Sequence, residues 1–189
     1  DLVYIKTSNT PNNLVEVHIA SASSNYQSRI VETQTTYTNE NNGIWTMADC
    51  DGDGRPDLVY IKSSNTPNNK VEVHAASAAS NYQSRIVATP STFINEYNGT
   101  WDLKDFDGDG RADLVYIKTS NTPNNTVEVH VASAASNFQS RVKEVPTVFT
   151  CENNGAWSLQ RFGGGYSKIC YLKTQNTPNG TVEVHIASF

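Results

Sequence analysis

The sequence is poor in cysteine and methionine, in excess basic charge and in long apolar runs. Of its 189 residues only three are Cys and one is Met, and the formal net charge is −5. No basic patch is visible, so the usual footprint of a nucleic-acid-binding protein is missing. No apolar stretch approaches the roughly 20 residues of a membrane helix, and we expect no membrane insertion. Nor does any segment show the apolar period of an amphipathic helix.

What the sequence has instead is a repeat of about 56 residues. The hexapeptide Asp-Leu-Val-Tyr-Ile-Lys begins at Asp1, Asp57 and Asp113 and returns in altered form at Lys168. Each period also carries Asn-Thr-Pro-Asn, Val-Glu-Val-His and, in three copies, Ser-Asn-Tyr/Phe-Gln-Ser-Arg and Asn-Gly-x-Trp. Such self-similarity is typical of stacked repeat architectures. We predict one repeat array over residues 1–189, with units at about 1–56, 57–112 and 113–167 and a partial unit at 168–189.

Each period contains four segments with β-strand character. The segment Val-Glu-Val-His-Val alternates apolar and polar residues strictly, which predicts a strand, and the Asn-Thr-Pro loops have the composition of turns. In one period the predicted strands lie at 101–106, 114–118, 127–131 and 141–145. A four-stranded unit that recurs every 40 to 60 residues is typical of a β-propeller blade. The predicted fold class is all-β, a propeller of four-stranded antiparallel blades, with three to four blades in this chain.

Two acidic loops of nine residues precede the second and third hexapeptides. Each places carboxylates at positions 1, 3, 5 and 9 and glycine at position 6. Crowded carboxylates repel one another unless a cation joins them, and Ca²⁺ takes six to eight oxygen ligands. The glycine supplies the turn through a positive φ, and the backbone carbonyl at position 7 is a natural extra ligand. We predict two calcium sites, formed by Asp49, Asp51, Asp53, Arg55 and Asp57 and by Asp105, Asp107, Asp109, Arg111 and Asp113.

The residues after each loop distinguish this motif from an EF-hand. An EF-hand places Glu at position 12 and continues into a helix, whereas position 12 here is Tyr60 or Tyr116 within a β-branched run. Calcium would therefore close a hairpin and act structurally. A third loop, residues 161–168, has no carboxylate and is predicted to hold no calcium. Asp1 corresponds to position 9 of a loop whose other positions are not in the chain.

The cysteines and the glycosylation motifs indicate the cellular compartment in which the protein is expected. Cys50 takes the place that Phe106 has in the next repeat, so we expect it to be a buried apolar side chain. The sequence does not decide whether Cys151 and Cys170 form a disulfide. Three Asn-x-Thr sequons, together with calcium loops, favour a secreted, extracellular protein. Because the first residue falls inside a repeat, we expect a mature or truncated chain.

The histidines argue against catalysis. All four occupy the same strand position, each two residues from a Glu on the same face; they are His18, His74, His130 and His185. A Glu/His pair can act as an acid/base dyad, but four copies favour a structural hydrogen bond or a repeated ligand contact. The sequence contains neither a Gly-x-Ser-x-Gly elbow nor a His-Glu-x-x-His motif. We therefore predict that the protein is not an enzyme.

A repeated binding site fits the composition better. A sugar-binding site combines an aromatic ring, which adds contact area to the C–H face of the sugar, with amide groups for its hydroxyls. Asn suits this role because its side chain both donates and accepts hydrogen bonds. Several repeated sets qualify, and the sequence does not choose among them. One set is Trp45, Trp101 and Trp157 with Asn42, Asn98 and Asn154; a second is Tyr26 and Tyr82, with Phe138 in the third copy; the others are His18, His74 and His130, and the Asn-Thr-Pro loops.

The Asp-x-Asp-Gly-Asp-Gly-x-x-Asp-Leu-Val pattern within a four-strand repeat resembles the FG-GAP/VCBS family. That family includes integrin α-chain propellers and secreted lectins of fungi and bacteria. The full repeat is most similar to fungal secreted propeller repeats, such as those of Psathyrella velutina-type lectins. The resemblance implies a calcium-stabilised multivalent lectin whose partners are glycans or glycoproteins. The alternatives are a non-catalytic module of a larger secreted enzyme and an integrin-like, protein-binding adhesion propeller.

The number of blades bears on assembly. Lectins of the resembled type close with seven blades, which one chain of this length does not supply. An exposed blade edge invites strand pairing. We therefore expect a homodimer or another homo-oligomer.

Overall fold

A computed structural model of the chain describes residues 1–161 and 167–189. Within these residues the regular elements are β-strands and short 3₁₀ turns, and no α-helix occurs. The same part of the chain has no helix of the length and apolar character needed to span a membrane. The chain divides into two compact units, Asp1–Asn95 and Glu96–Phe189.

The first unit contains two antiparallel sheets. Its strands are β1 (Leu2–Lys6), β2 (Leu14–Ala20), β3 (Arg29–Thr38), β4 (Gly43–Ala48), β5 (Asp57–Lys62), β6 (Lys70–Ala76) and β7 (Arg85–Ile94). The first sheet has the order β1-β2-β3, and the second has the order β4-β5-β6-β7. Each strand therefore pairs with its neighbour in sequence, as in a meander.

The second unit repeats this plan. Its strands are β8 (Gly99–Lys104), β9 (Asp113–Lys118), β10 (Thr126–Ala132), β11 (Arg141–Thr150), β12 (Gly155–Arg161), β13 (Ser167–Lys173) and β14 (Glu183–Ala187). The third sheet has the order β8-β9-β10-β11, and the fourth has the order β12-β13-β14. Four antiparallel sheets of three or four strands agree with the predicted all-β class and with blades of a β-propeller.

The strands follow the predicted segments with two differences. The segment predicted at 101–106 is β8 at Gly99–Lys104, and the fourth strand is longer than predicted. The segment predicted to end at Val145 continues as β11 to Thr150. It passes through Pro146, which faces Glu128 next to a register shift in the pairing of β10 with β11. Proline lacks a backbone donor and is tolerated at bulges and at sheet edges. The irregular register therefore explains why the proline does not end this strand.

Each unit has its own apolar core. In the second and third sheets the strands β5 and β9 are buried on both faces, as expected for continuous apolar runs. The core of the first unit contains Val15, Val17, Tyr37, Leu58, Ala76, Ala78 and Tyr82. The core of the second unit contains Val115, Ile117, Val127, Val129, Val131, Trp157, Leu159, Ile169 and Tyr171.

The Asn-Thr-Pro loops hold asparagine in the left-handed region. Each loop forms a 3₁₀ turn that starts at the proline. Asn12, Asn68 and Asn124 have φ between 55° and 56°, a conformation that Asn tolerates better than most residues. The abundance of asparagine in these loops thus has a backbone cause, independent of any ligand.

The glycine of the Asn-Gly-x-Trp motif gives the first prediction. A Cβ on Gly99 would lie 2.2 Å from the carbonyl oxygen of Ile117 and 2.9 Å from the Cα of Lys118. Gly99→Ala must therefore displace β8 from β9, and we expect it to lower the free energy of unfolding by about 2 kcal/mol or more. Urea unfolding followed by circular dichroism measures this difference. The exposed neighbour provides the control: Thr100→Ala should change stability by less than about 0.5 kcal/mol, and equal losses would contradict the explanation.

Candidate metal centres and ligand pocket

The first acidic loop is folded around the carboxylate of Asp49. Its Oδ1 accepts the N–H of Gly52 at 2.7 Å, and its Oδ2 accepts the N–H of Gly54 at 2.8 Å. These two glycines have φ of +84° and +81°, which residues with a Cβ rarely adopt. The N–H of Arg55 bonds to Asp53 at 2.8 Å. The glycines thus let the backbone turn around its own carboxylates.

The second loop has the same internal hydrogen bonds and one additional cation. Asp105 accepts the N–H of Gly108 at 2.7 Å and that of Gly110 at 3.3 Å. The guanidinium of Arg161, at the end of β12, lies 3.4 Å from Asp105 Oδ2. A neighbouring cation partly offsets the repulsion among the carboxylates, so the two loops differ in electrostatics although their carboxylates have the same spacing.

Each loop gathers three carboxylates that could hold one ion. Ligand oxygens of Asp49, Asp51 and Asp57 lie within 4.8 Å of one another in the first loop. In the second loop the same holds for three residues, Asp105, Asp107 and Asp109. Since Ca²⁺–O distances are about 2.3–2.6 Å, oxygens on opposite sides of one ion are separated by roughly this spacing. The residues therefore fit a calcium ion.

The other predicted ligands are placed differently. Asp53 in the first loop and Asp113 in the second are outside these clusters. Arg55 and Arg111 were predicted to contribute their carbonyl oxygens, and this remains a prediction. The predicted calcium-free loop between Arg161 and Lys168 includes residues 162–166, which lie outside the described residues.

The last aspartate of each loop has a structural role that was not predicted from the sequence. Asp57 is fully buried; its Oδ2 accepts the N–H of Cys50 at 3.0 Å, and its Oδ1 accepts that of Ala78 at 2.9 Å. Asp113 makes the same two bonds, to Phe106 at 3.0 Å and to Ala134 at 2.8 Å. One carboxylate thus connects the acidic loop to the 3₁₀ turn that follows the third strand of the sheet.

Burial disfavours the charged form of these two aspartates. Desolvation raises the pKa of Asp113 to about 6, although the two N–H donors oppose the shift. The pKa of Asp57 is raised for the same reason. A cation bound in the loop would favour the ionised carboxylate. The position is therefore one where a metal ion would reduce an existing electrostatic cost.

The predicted Trp and Asn set is occupied by contacts within the sheet. The ring of Trp101 stacks on Tyr116 with centroids 4.2 Å apart, and Trp157 stacks on Tyr171 at 4.0 Å. The hydroxyl of Tyr116 donates to the side-chain oxygen of Asn98. The amide nitrogen of Asn98 donates to a backbone carbonyl at 2.7 Å. Trp45, Tyr60 and Asn42 repeat this arrangement in the second sheet, and Asn154 repeats it in the fourth.

The histidines are likewise held within their sheets. In each of the four repeats the imidazole Nε2 lies 3.0–3.2 Å from the Oε2 of the Glu two residues before it. His18 and His130 each also approach a second carboxylate, Glu32 and Glu144, at 3.7 Å and 3.6 Å. The repeated dyad thus forms an ion pair or hydrogen bond along the strand, which is the structural interpretation of the pattern.

The aromatic residue of the Ser-Asn-Tyr-Gln-Ser turn has a positive φ in every copy. Tyr26, Tyr82 and Phe138 have φ of 62°, 61° and 60°, which is rare for a bulky side chain. Tyr82 and Phe138 are buried, whereas Tyr26 is exposed. Two members of this predicted sugar-binding set therefore pack in the interior.

The described cysteines are all free thiols. Cys50 is buried, as the sequence predicted. Cys151 lies 3.4 Å from the hydroxyl of Thr122, and Cys170 on β13 faces Ser158 and Ile186 on the neighbouring strands. The structure thus contains no disulfide between Cys151 and Cys170.

A small, partly open pocket lies between the first and second sheets of the first unit. It has a volume of about 60 Å³, and its wall contains Tyr37, Thr38, Glu40, Trp45, Tyr60, His74 and Arg85. The guanidinium of Arg85 lies 4.6 Å above the ring of Tyr37. The hydroxyl of Tyr37 is buried and has no hydrogen-bond partner among the residues that the structure describes. Burial raises its pKa to about 12.

Only part of this wall was predicted from the sequence. Trp45 and His74 were predicted, whereas Tyr37, Glu40 and Arg85 were missed. Arg85 ends the repeated Ser-Asn-Tyr-Gln-Ser-Arg segment, so its recurrence was the signal that could have found it. In the second unit, a shallower depression of about 560 Å³ is lined by Tyr97, Asn98 and Lys118 with three neighbours. The exposed ring of Tyr97 stands where the other two repeats have Asn.

Comparison with known proteins identifies part of the repeat. Residues 49–116 match the FG-GAP-like repeat, a stretch that contains both acidic loops and fewer than half of the residues. Such repeats are typically non-catalytic binding or structural modules, in line with the absence of recognisable catalytic motifs from the sequence. Neither the curated proteins nor the solved structures include a match to the chain. The stretch at 49–116 is thus an FG-GAP-like repeat of the kind found in propellers.

The two-amide contact of Asp113 gives the second prediction. Asp113→Asn replaces one acceptor oxygen by an amide that faces a backbone N–H, so we expect a loss of about 1–3 kcal/mol of stability in EDTA. Urea unfolding in chelator isolates this structural contribution from any metal effect. Asp109→Asn is the matched control, because its remaining oxygen can still accept from Arg111 at the exposed loop surface. Similar losses for the two variants would contradict the assigned role.

Proposed function

We propose that the protein is a secreted, calcium-stabilised lectin that binds glycans at repeated sites. The observation that carries the proposal is the pocket between the first and second sheets, where aromatic rings and a guanidinium lie together.

The composition of the pocket suits a carbohydrate. Arg85 is exposed and offers N–H donors beside the ring of Tyr37. The stacked rings of Trp45 and Tyr60, 4.3 Å apart, provide an apolar wall for the C–H face of a sugar ring. A volume of about 60 Å³ has room for a few water molecules, so it would admit a hydroxyl-bearing substituent while the sugar ring stays at the mouth.

Calcium would act on the shape of the sheets and take no part in recognition. The three-carboxylate clusters lie in the loops that lead into β5 and β9. Asp57 and Asp113 connect those loops to the 3₁₀ turns after β6 and β10. A bound ion would neutralise the clustered charge and hold this end of each sheet in one conformation. Phe93 and Phe149 take the place of Tyr37 in the later repeats, so a gain in avidity of about 10²–10⁴ would require further sites of a different composition.

Calcium binding gives the third prediction. Isothermal titration of the 189-residue chain should show two sites, and EDTA should lower the melting temperature. At a calcium concentration of 100 times Kd, each site should add about 2.7 kcal/mol of stability. Asp51→Asn should remove one site and leave the other. Glu144→Gln, which removes an exposed carboxylate outside the loops, should leave both; a chain whose melting is unchanged by EDTA would exclude this role.

Glycan binding gives the fourth prediction. A glycan array probed with the 189-residue chain in calcium should give hits, and titration with the best free monovalent glycan should give its affinity. Arg85→Ala should weaken that affinity roughly tenfold to a hundredfold, as expected for a charged hydrogen bond worth about 1.5–3 kcal/mol.

The control removes the same charge elsewhere. Lys70→Ala, at the start of β6 and outside the pocket wall, should leave the affinity unchanged. An array without any glycan hit would reject the lectin proposal and favour a protein-binding adhesion module. Hits that Arg85→Ala does not weaken would place the sugar elsewhere on the repeat.

A further inference from the structure

Arg161 occupies the repeat position at which the two acidic loops begin. It lies four residues after the tryptophan of the Asn-Gly-x-Trp motif, as Asp49 and Asp105 do in their repeats. The third copy of the loop therefore has a cation where the other two copies have their first carboxylate. Residues 161–168 contain no carboxylate, so an acidic partner for this charge has to come from another part of the chain.

The guanidinium of Arg161 lies against the second acidic loop. Its Nη1 is 3.4 Å from Oδ2 of Asp105, and its Nη2 is 3.4 Å from the place that a Cβ on Gly108 would take. Both the arginine and the loop belong to the second unit. Strand β12 carries the side chain to this place, because it has seven residues where the matching strands β4 and β8 have six.

The carboxylate oxygen that faces the guanidinium is bonded less closely to its own loop. Oδ2 of Asp105 accepts the N–H of Gly110 at 3.3 Å, whereas Oδ2 of Asp49 accepts that of Gly54 at 2.8 Å. The Oδ1 bonds of the two aspartates are both 2.7 Å long. The loops therefore differ at the oxygen that the guanidinium approaches, and this oxygen is shared between the backbone and the cation.

A fixed cation has opposite effects on the loop without metal and on the loop with metal. Without metal it offsets the repulsion among Asp105, Asp107 and Asp109, whose ligand oxygens lie within 4.8 Å of one another. A metal ion bound by the same oxygens would be repelled by the guanidinium and would compete with it for Asp105. Like charges this close at a solvent-exposed site change a binding constant by roughly threefold to tenfold.

We propose that Arg161 is a built-in counter-ion of the second acidic loop, which stabilises the loop without metal and lowers its affinity for calcium. The second loop would then load at a higher calcium concentration than its carboxylates alone would set. Because such coupling is reciprocal, bound calcium would also weaken the ion pair between Arg161 and Asp105. The effect on affinity rests on the calcium role proposed above, whereas the effect on the metal-free loop does not.

The first test measures calcium affinity one loop at a time. Asp51→Asn leaves the second loop for isothermal titration with calcium, and Asp107→Asn leaves the first. In the Asp51→Asn chain, Arg161→Gln removes the charge and keeps an amide, so the Kd should fall roughly threefold to tenfold. Arg161→Lys keeps the charge and should keep the Kd. The difference between Gln and Arg should shrink in 1 M NaCl, where charges are screened within about 3 Å.

The matched control removes a positive charge at the other end of the same strand pair. Arg161 pairs with Ser167, and Lys173 lies six residues further along β13. Six residues of a strand span about 20 Å, which exceeds the Debye length of about 8 Å at physiological salt. Lys173→Gln in the Asp51→Asn chain should therefore leave the Kd of the second loop unchanged.

The second test needs no metal. In EDTA, Arg161→Gln should lower the melting temperature by about 1–4 °C, as expected for an exposed ion pair, and saturating calcium should reduce this deficit. Circular dichroism follows both the melting and the folding of each variant.

The contrary outcomes separate this inference from the proposed function. Unchanged melting of Arg161→Gln in EDTA would overturn the counter-ion role. Calcium binding by the second loop that Arg161→Gln leaves unchanged or weakens would overturn the effect on affinity alone. If neither Asp51→Asn nor Asp107→Asn binds calcium, the calcium role itself fails, and with it the effect on affinity.

Discussion

One buried carboxylate at the start of β5 and of β9 constrains the rest of each repeat. Asp57 and Asp113 each accept two backbone N–H groups, one from the acidic loop and one from the 3₁₀ turn after the next strand. Only a carboxylate offers two acceptor oxygens at this place. The loop, the strand and the turn are therefore held by a single side chain, and the charge of that side chain links the order of the sheet to the ionic state of the loop.

The cross-strand aromatic stacks are the second constraint. In the second, third and fourth sheets a Trp ring lies on a Tyr ring, and the Tyr hydroxyl is bonded to an Asn. These side chains combine area burial with a satisfied polar group. Residues that look suited to sugar recognition are thus largely committed to holding strands together. The proposed ligand pocket forms beside this stack, where Arg85 and Tyr37 come from different sheets.

Much of the fold could be predicted from the sequence, because strict alternation and turn composition fix strands independently of tertiary context. The extension of β11 past Pro146 could not, since it depends on a register shift against β10. The acidic loops could be predicted because the carboxylates of each loop lie within nine consecutive residues. The wall of the pocket could not be predicted, because Arg85 is far along the chain from Tyr37 and Glu40 and meets them only when two sheets pack. The double role of Asp57 was missed for the same reason, because Ala78 lies on another turn.

The final turn of the Asn-Thr-Pro loop shows what the repeat requires at one position. Asn13, Asn69 and Asn125 have φ of 57°, 55° and 54° there, and the fourth copy has Gly180 at 64°. The φ angle is similar with either residue, so the turn does not depend on the asparagine side chain. Glycine leaves the unfolded chain more conformational freedom to lose on folding. The three turns with Asn therefore lose less conformational entropy on folding than the fourth turn, which has Gly. The same molecule thus forms one turn with two residue types that differ in this entropic cost.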